Sequence, residues 1–179
     1  MEKTKDIYVV LSQTGSIVAK MIHFFTRAEY CHASIGIDEH LDYMFSFGRV
    51  YPRNPFYGGF VKESPHFGAF ARFSHARVVV LRFAVPEETY ARIKEDLETM
   101  YRERDAFRYN YRGFFASVLH LKIKQHNKFY CSEFVDYICR KYHLYEKGTL
   151  PEIVHPIDFY KTFQNRIIYK GLLTDFCPA

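Results

Sequence analysis

The chain has 179 residues, 48% of them hydrophobic and 25% charged, with a formal net charge of +5. That length suits one domain over 1–179 and is too short for two comfortable ones; the modest positive charge comes with no nucleic-acid-binding motif, so no nucleic-acid partner is expected. The charged start Met1–Asp6 lacks a signal-peptide pattern, and no stretch reaches the roughly 18 apolar residues of a membrane span, so a cytoplasmic protein without a transmembrane segment is expected.

Asp6 to Ser12 is a short β-rich run ending in turn formers. From Gly15 the apolar positions Ile17, Val18, Met21, Phe24 and Phe25 recur at helical spacing, which predicts a helix to about Thr26. His32 to Ile37 alternates like a half-buried strand, Asp38-Glu39-His40 supplies a turn, and Leu41 to Phe47 returns as the second arm of a hairpin. The stretch from Val50 to Ser74 holds Pro52, Asn54-Pro55, Gly58-Gly59, Pro65 and Gly68, and it reads as a long loop. Loops of that length in compact domains usually cover or serve a site. Arg77 to Val85 contains Val-Val-Val-Leu and reads as a strand. Pro86-Glu87-Glu88 then opens a helix with the proline and acids that a helix start favours, and Tyr90, Ile93, Leu97 and Met100 mark its buried face.

Further helices are predicted over 113–123 and from Cys131 to about Tyr142, the second with the apolar face Cys131, Phe134, Val135, Ile138 and Tyr142. Ile167 to Leu173 reads as a last strand. The pattern is α+β, with an antiparallel sheet or small barrel and helices packed at one side. The 18 Phe and 15 Tyr, with no Trp, predict a core and a cleft built on aromatic surfaces.

The four cysteines, Cys31, Cys131, Cys139 and Cys177, form no Cys-x-x-Cys pair and are expected as thiols in a reducing compartment. No cofactor is called for. A metal site is not expected either, because Cys31-His32 and His126 near Cys131 offer no second pair at ligand spacing. Lys122, Lys124 and Lys128 are the one local cluster of cations, read as a solvated face.

Cys131 falls in the first turn of its predicted helix, where unpaired backbone N–H groups favour a thiolate and can donate to an oxyanion. The peptide N–H of Cys131 is the natural donor, and a hydroxyl such as that of Tyr111 or Tyr130 is a further candidate. Taken alone, Cys131 has the commoner alternative of a small buried residue on an apolar face, a role that Cys139 fits better. His32 alone is at least as readily a structural histidine. Together they form a nucleophile and its base.

The segments His32-Ala-Ser-Ile-Gly-Ile-Asp38 and Tyr130-Cys-Ser-Glu-Phe-Val135 resemble the permuted branch of the NlpC-like, papain-fold cysteine hydrolases. That branch contains the YiiX-like and lecithin:retinol acyltransferase-like proteins. The resemblance implies a papain-like fold in which the histidine strand precedes the cysteine helix. It makes Cys131 the nucleophile and His32 its base. The family's third, orienting residue lies on the strand after the histidine strand, where this chain offers no His, Glu, Gln or Asn in register. Ser46 is the best polar candidate there, with Tyr43 behind it, and Glu63 from the long loop is an outside candidate.

The expected function is a cysteine hydrolase or transferase that cleaves an amide or ester through a thioester acyl-enzyme, in the manner of a peptidase or amidase. Its substrate would be a small molecule, a peptide or a lipid-like compound. The alternatives are a lipid-directed acyltransferase or thiol esterase of the same fold, and a papain-like ligand-binding protein with weak or no turnover. The loop at 50–74 is a candidate lid, and Arg49, Arg53 and Arg72 are candidates to hold a carboxylate or phosphate.

Overall fold

Strands β1 (Thr4–Gln13) and β5 (Arg77–Pro86) are the two longest of the sheet and pair along their whole length inside it, and their sequences explain why. In β1 both alternating sets are apolar, Ile7, Val9 and Leu11 on one side and Tyr8 and Val10 on the other, so the strand is buried on both faces. Val78 to Leu81 do the same in β5. The computed structural model describes residues 3–13, 29–51, 57–67, 70–71 and 75–178, and the helix expected over 15–26 lies outside them.

Around this pair stand β2 (His32–Gly36), β3 (Met44–Arg49), β4 (Gly58–Glu63) and β8 (Ile167–Leu172), giving one six-stranded sheet in the order β4-β3-β2-β1-β5-β8. Every neighbouring pair in it is antiparallel. The sheet ends at β4 and β8, so of the two expected forms it is the open one and not a closed barrel. Strands β6 (Arg108–Tyr109) and β7 (Lys128–Phe129) make a separate two-residue parallel pair.

Four helices occur among the described residues: α1 (Glu87–Arg102), α2 (Tyr111–Val118), α3 (Cys131–Lys141) and α4 (Pro156–Thr162). The main core joins Val9, Leu11, Ile35, Phe45, Phe47 and Phe60 of the sheet to Ile93 and Leu97 of α1 and to Phe134, Val135 and Ile138 of α3. A smaller cluster of Tyr8, Val10, Leu41, Met44, Phe70, Val78, Val80 and Leu173 covers the alternate positions of the strands. Helices α1 and α3 are tied by the Asp96 carboxylate, which pairs with Lys141 and accepts a 2.6 Å hydrogen bond from the Tyr142 hydroxyl.

Four features differ from the sequence reading. The second hairpin arm starts at Met44 and not at Leu41, because the Asp38 carboxylate accepts the N–H groups of His40, Asp42 and Tyr43 and holds 38–43 as a turn. The helix expected over 113–123 runs from Tyr111 to Val118. The Asn110 side chain accepts from the Gly113 N–H at its start. At its end His120 takes a left-handed φ of 57°, while the His120 and Leu121 N–H groups bond back to Ser117 and Ala116, a Schellman closure. Helix α4 was unforeseen, although Pro156 in its first turn and Asp158 accepting from the His155 N–H are ordinary start signals. The long loop contains a strand, β4, which matters most for function.

Phe47 is fully buried, with its ring 5.3 Å from those of Phe60, Phe129 and Phe134 and 6.2 Å from that of Phe107. It therefore joins the sheet to the start of α3 through aromatic contacts. Truncation to alanine leaves a cavity among rings held by separate elements. Phe47→Ala is expected to cost about 3–5 kcal/mol of unfolding free energy, measured by urea denaturation.

Candidate active site

His32 is the first residue of β2, and Cys131 is the first residue of α3, a helix that packs on β2 and β3. The imidazole and the thiol meet there, 99 positions apart in sequence (131 − 32), within hydrogen-bonding contact. The residue Cys131 is 3% exposed and the His32 side chain 20%, so solvent reaches the pair chiefly at the ring.

The imidazole's other partner is Glu63. Its Nε2 lies 3.1 Å from each carboxylate oxygen. A carboxylate only accepts, so Nε2 carries the proton donated to Glu63, and Nδ1 is the nitrogen left for the sulfur. Glu63 is itself buried, and the Ser34 hydroxyl donates to its Oε2 at 2.6 Å. Ser34 shares a strand face with His32 by simple alternation, two residues along β2. The carboxylate therefore receives a ring N–H and a hydroxyl in a site that excludes most water.

Ser46, expected as the orienting residue, does not bond the imidazole. It is fully buried in β3, and its hydroxyl lies beside the Glu63 carboxylate without a hydrogen bond of regular geometry. Tyr43 is half exposed, with the Lys62 ammonium over its ring, and its backbone belongs to the Asp38 turn. The carboxylate partner of His32 comes from one strand further out, because Glu63 ends β4 and its longer side chain reaches across β3. Gly48 of β3 lies beside this contact. A Cβ built there would lie 3.6 Å from both the His32 ring and Glu63 Oε1, an ordinary van der Waals distance.

The charges follow from this geometry. Burial works to lower the His32 pKa. The Glu63 charge and hydrogen bonds to Cys131 and Glu63 outweigh it and push the imidazole up from 6.5 to about 10. Burial alone would raise the Glu63 pKa, but the His32 charge, its hydrogen bond and the Ser34 hydroxyl hold it below the ordinary carboxylate value. The pair is thus an imidazolium–carboxylate at neutral pH, with a sulfur beside the cation. Cys139, in contrast, has its pKa pushed up by burial and is a core residue of α3.

Tyr109 is a site residue that sequence reasoning missed. Its pKa is raised by burial first, then by the charges of Cys131, Tyr111 and Tyr130 and by hydrogen bonding with Cys131, which puts the Tyr109 side chain beside the sulfur. Strand pairing carries it there, since Tyr109 stands opposite Phe129 in the β6–β7 pair, two residues before the cysteine. No linear pattern marks it. Tyr111, weighed from sequence as a hydroxyl donor, is the ring neighbour of Tyr109 at 4.7 Å.

The start of α3 is built around a second, half-buried carboxylate. Glu133 accepts from the Tyr130 N–H at 3.3 Å, which fixes the peptide before Cys131. Ser132, which is fully buried, donates its hydroxyl to the Val154 carbonyl at 2.7 Å. Cys131 and Ser132 thus keep their first-turn N–H groups outside the intrahelical ladder.

Parts of the expected lid, residues 52–56, 68–69 and 72–74, lie outside the described residues, and Arg53 and Arg72 with them. A cavity of about 320 Å³ lined by Asp6, Tyr8, Glu39, Arg82, Ile168, Phe176, Cys177 and Pro178 involves none of the site residues. No helix among the described residues is long and apolar enough to cross a membrane. Comparison with models of protein families, with curated proteins and with solved structures finds no match to the chain.

The raised pKa gives His32 a stabilising contribution that is complete below 6.5, declines as pH rises, and is lost above about 10. Glu63 acts in the opposite sense, stabilising above its ordinary pKa and losing that contribution as pH falls through its lowered one. In Glu63→Gln the imidazole is expected to titrate well below its wild-type value, followed by NMR of the His32 ring protons. The alkaline decline in melting temperature should flatten with it. A His32 that still titrates near 10 in the variant would assign the shift to Cys131 instead.

Proposed function

We propose that this chain is a papain-like cysteine hydrolase or acyl transferase, acting on an amide or ester through a thioester on Cys131. The observation that carries this reading is the imidazole of His32 held between a buried carboxylate and a thiol at a helix start. Each part has a chemical task. The thiol proton rests on the His32 ring, so that a thiolate lies beside an imidazolium that Glu63 stabilises and orients. Attack of the sulfur on the substrate carbonyl forms the carbon–sulfur bond and moves an electron pair onto the oxygen. The Cys131 N–H answers that charge, and the Tyr109 hydroxyl, which meets the sulfur in the resting state, supports a second donor role.

Collapse of this intermediate breaks the bond to the amine or alcohol, which leaves with the proton held by His32. The neutral imidazole then takes a proton from water or from an acceptor hydroxyl or amine, whose attack on the thioester frees Cys131. The likeness of the His32 and Cys131 segments to the permuted NlpC-like hydrolases supports the papain-like assignment and the order of the two residues. Reading the site as a binding pocket without turnover was motivated by a serine in the orienting position. A carboxylate on His32 removes that motive.

An activated ester such as p-nitrophenyl acetate is expected to leave an acetyl group on Cys131, seen by intact mass and peptide mapping after rapid acid quench. Cys131→Ala should abolish the adduct, and His32→Ala should slow its formation by about 10²–10⁴-fold. Iodoacetamide at neutral pH should alkylate Cys131 more slowly in His32→Ala than in the unaltered chain. An unacylated Cys131 that is alkylated as fast in His32→Ala as in the unaltered chain would overturn the reading.

A further inference from the structure

The residues between Asp105 and Glu133 include Arg108, Arg112, Lys122, Lys124 and Lys128 and no acid at all. The other 20 Lys and Arg are matched by the 20 Asp and Glu, so this one segment carries the whole net charge of +5. The same segment presents apolar side chains to solvent. Phe115 is 58% exposed, Leu119 70%, Leu121 58% and Ile123 39%. Among the described residues both exposed leucines lie here. Single exposed apolar residues are ordinary, but a cluster interleaved with cations is not.

The backbone explains how they come to stand out together. The Schellman closure at His120 reverses the chain after α2, so Leu119 and Leu121 flank a tight corner. In that motif the residue at the position of Leu121 usually packs back on the helix, and here it remains exposed. The strand of chain that follows is anchored by the Asn110 amide, which donates to the Ile123 carbonyl at 3.0 Å. Lys122 is engaged with Glu152 at 2.7 Å, and the neighbouring cations Lys124 and Lys128 are exposed. Tyr57, also exposed, lies under the Arg108 guanidinium and next to Gly58, where an added Cβ would meet Tyr109 and Tyr111.

We propose that the α2–loop segment 108–128 is a peripheral docking surface for an anionic lipid bilayer. Phe115, Leu119, Leu121 and Ile123 enter the headgroup and acyl boundary, while Arg112, Lys124 and Lys128 meet the lipid phosphates and carboxylates. A short apolar corner rimmed by cations is the pattern of interfacial binding, in which buried apolar area and attraction to anionic headgroups add. A nucleic acid would use the cations and have no use for exposed leucines. A protein partner would not need an acid-free segment. The inference stands on this surface alone, whatever chemistry Cys131 performs.

Flotation of the full chain with phosphatidylcholine vesicles, with and without about 30% phosphatidylserine, tests it. Binding should be at least about tenfold stronger to the anionic vesicles and should weaken as salt is raised. The double variant Leu119→Glu/Leu121→Glu should lose about tenfold or more, with its melting temperature kept because both side chains are exposed. Lys124→Glu/Lys128→Glu should lower binding to the anionic vesicles, while Cys131→Ser should bind like the unaltered chain. Equal partition onto neutral and anionic vesicles, or full binding by the leucine variant, would overturn the proposal. So would an RNA affinity that exceeds vesicle binding and ignores the leucine changes.

Discussion

The candidate site depends on one ion pair, the buried contact of His32 with Glu63. It spans three strands, running from the first residue of β2 across β3 to the last residue of β4. A buried carboxylate without a partner would be strongly penalised, and so would a buried imidazolium. Each therefore requires the other, and Ser34 satisfies a further lone pair of the carboxylate. Removing one partner costs more than the pair is worth, so the pair specifies geometry more than it supplies stability. The same requirement sets the β4 edge of the sheet. Without β4 there is no Glu63 over β3, and without Glu63 the base of the proposed nucleophile lacks an orienting group.

The aromatic core serves this constraint. Phe47 and Phe60, in register across β3 and β4, pack against Phe134 of α3, so the helix that begins with Cys131 is seated on the two outer strands. Tyr109 joins the same assembly from the β6–β7 pair. Close approach is bought with glycine. A Cβ on Gly58 would lie 2.7 Å from the Tyr109 Cβ and 2.8 Å from the Tyr111 hydroxyl oxygen, closer than real contacts allow.

That glycine also explains what the sequence concealed. Cys131 and His32 were legible because a helix start and a period-two strand each leave a local pattern, and so do β1, β5 and α1. Strand β4 was not, since Gly58-Gly59 and the prolines around it are the residues that normally interrupt strands. Here the glycines mark where another backbone comes close, which is a tertiary fact. Reading 50–74 as a loop moved Glu63 off the sheet and left Ser46 as the nominal third residue. The end of α2 was hidden for a related reason, because a left-handed histidine at position 120 carries no sequence signal comparable to glycine. Helix α4 is a different case, as its Pro156 and Asp158 were visible and passed over.

Asn110 connects the chemistry of the helix start with the exposed corner beside it. The residue is fully buried, its oxygen accepts from the Gly113 N–H, and its amide donates to the Ile123 carbonyl at 3.0 Å with Glu133 at 3.5 Å. Its own N–H donates to the Phe129 carbonyl, two residues before Cys131. One side chain therefore starts α2, tethers the loop that follows it and touches the carboxylate that receives the Tyr130 N–H. There is no slack in that arrangement, because a Cβ on Gly113 would fall 2.2 Å from the Asn110 amide nitrogen. A buried polar hub of this kind holds its geometry only if every group is satisfied. Here it fixes the peptide leading into Cys131 and the apolar corner at Leu119–Leu121 in a single frame, so both keep their positions together.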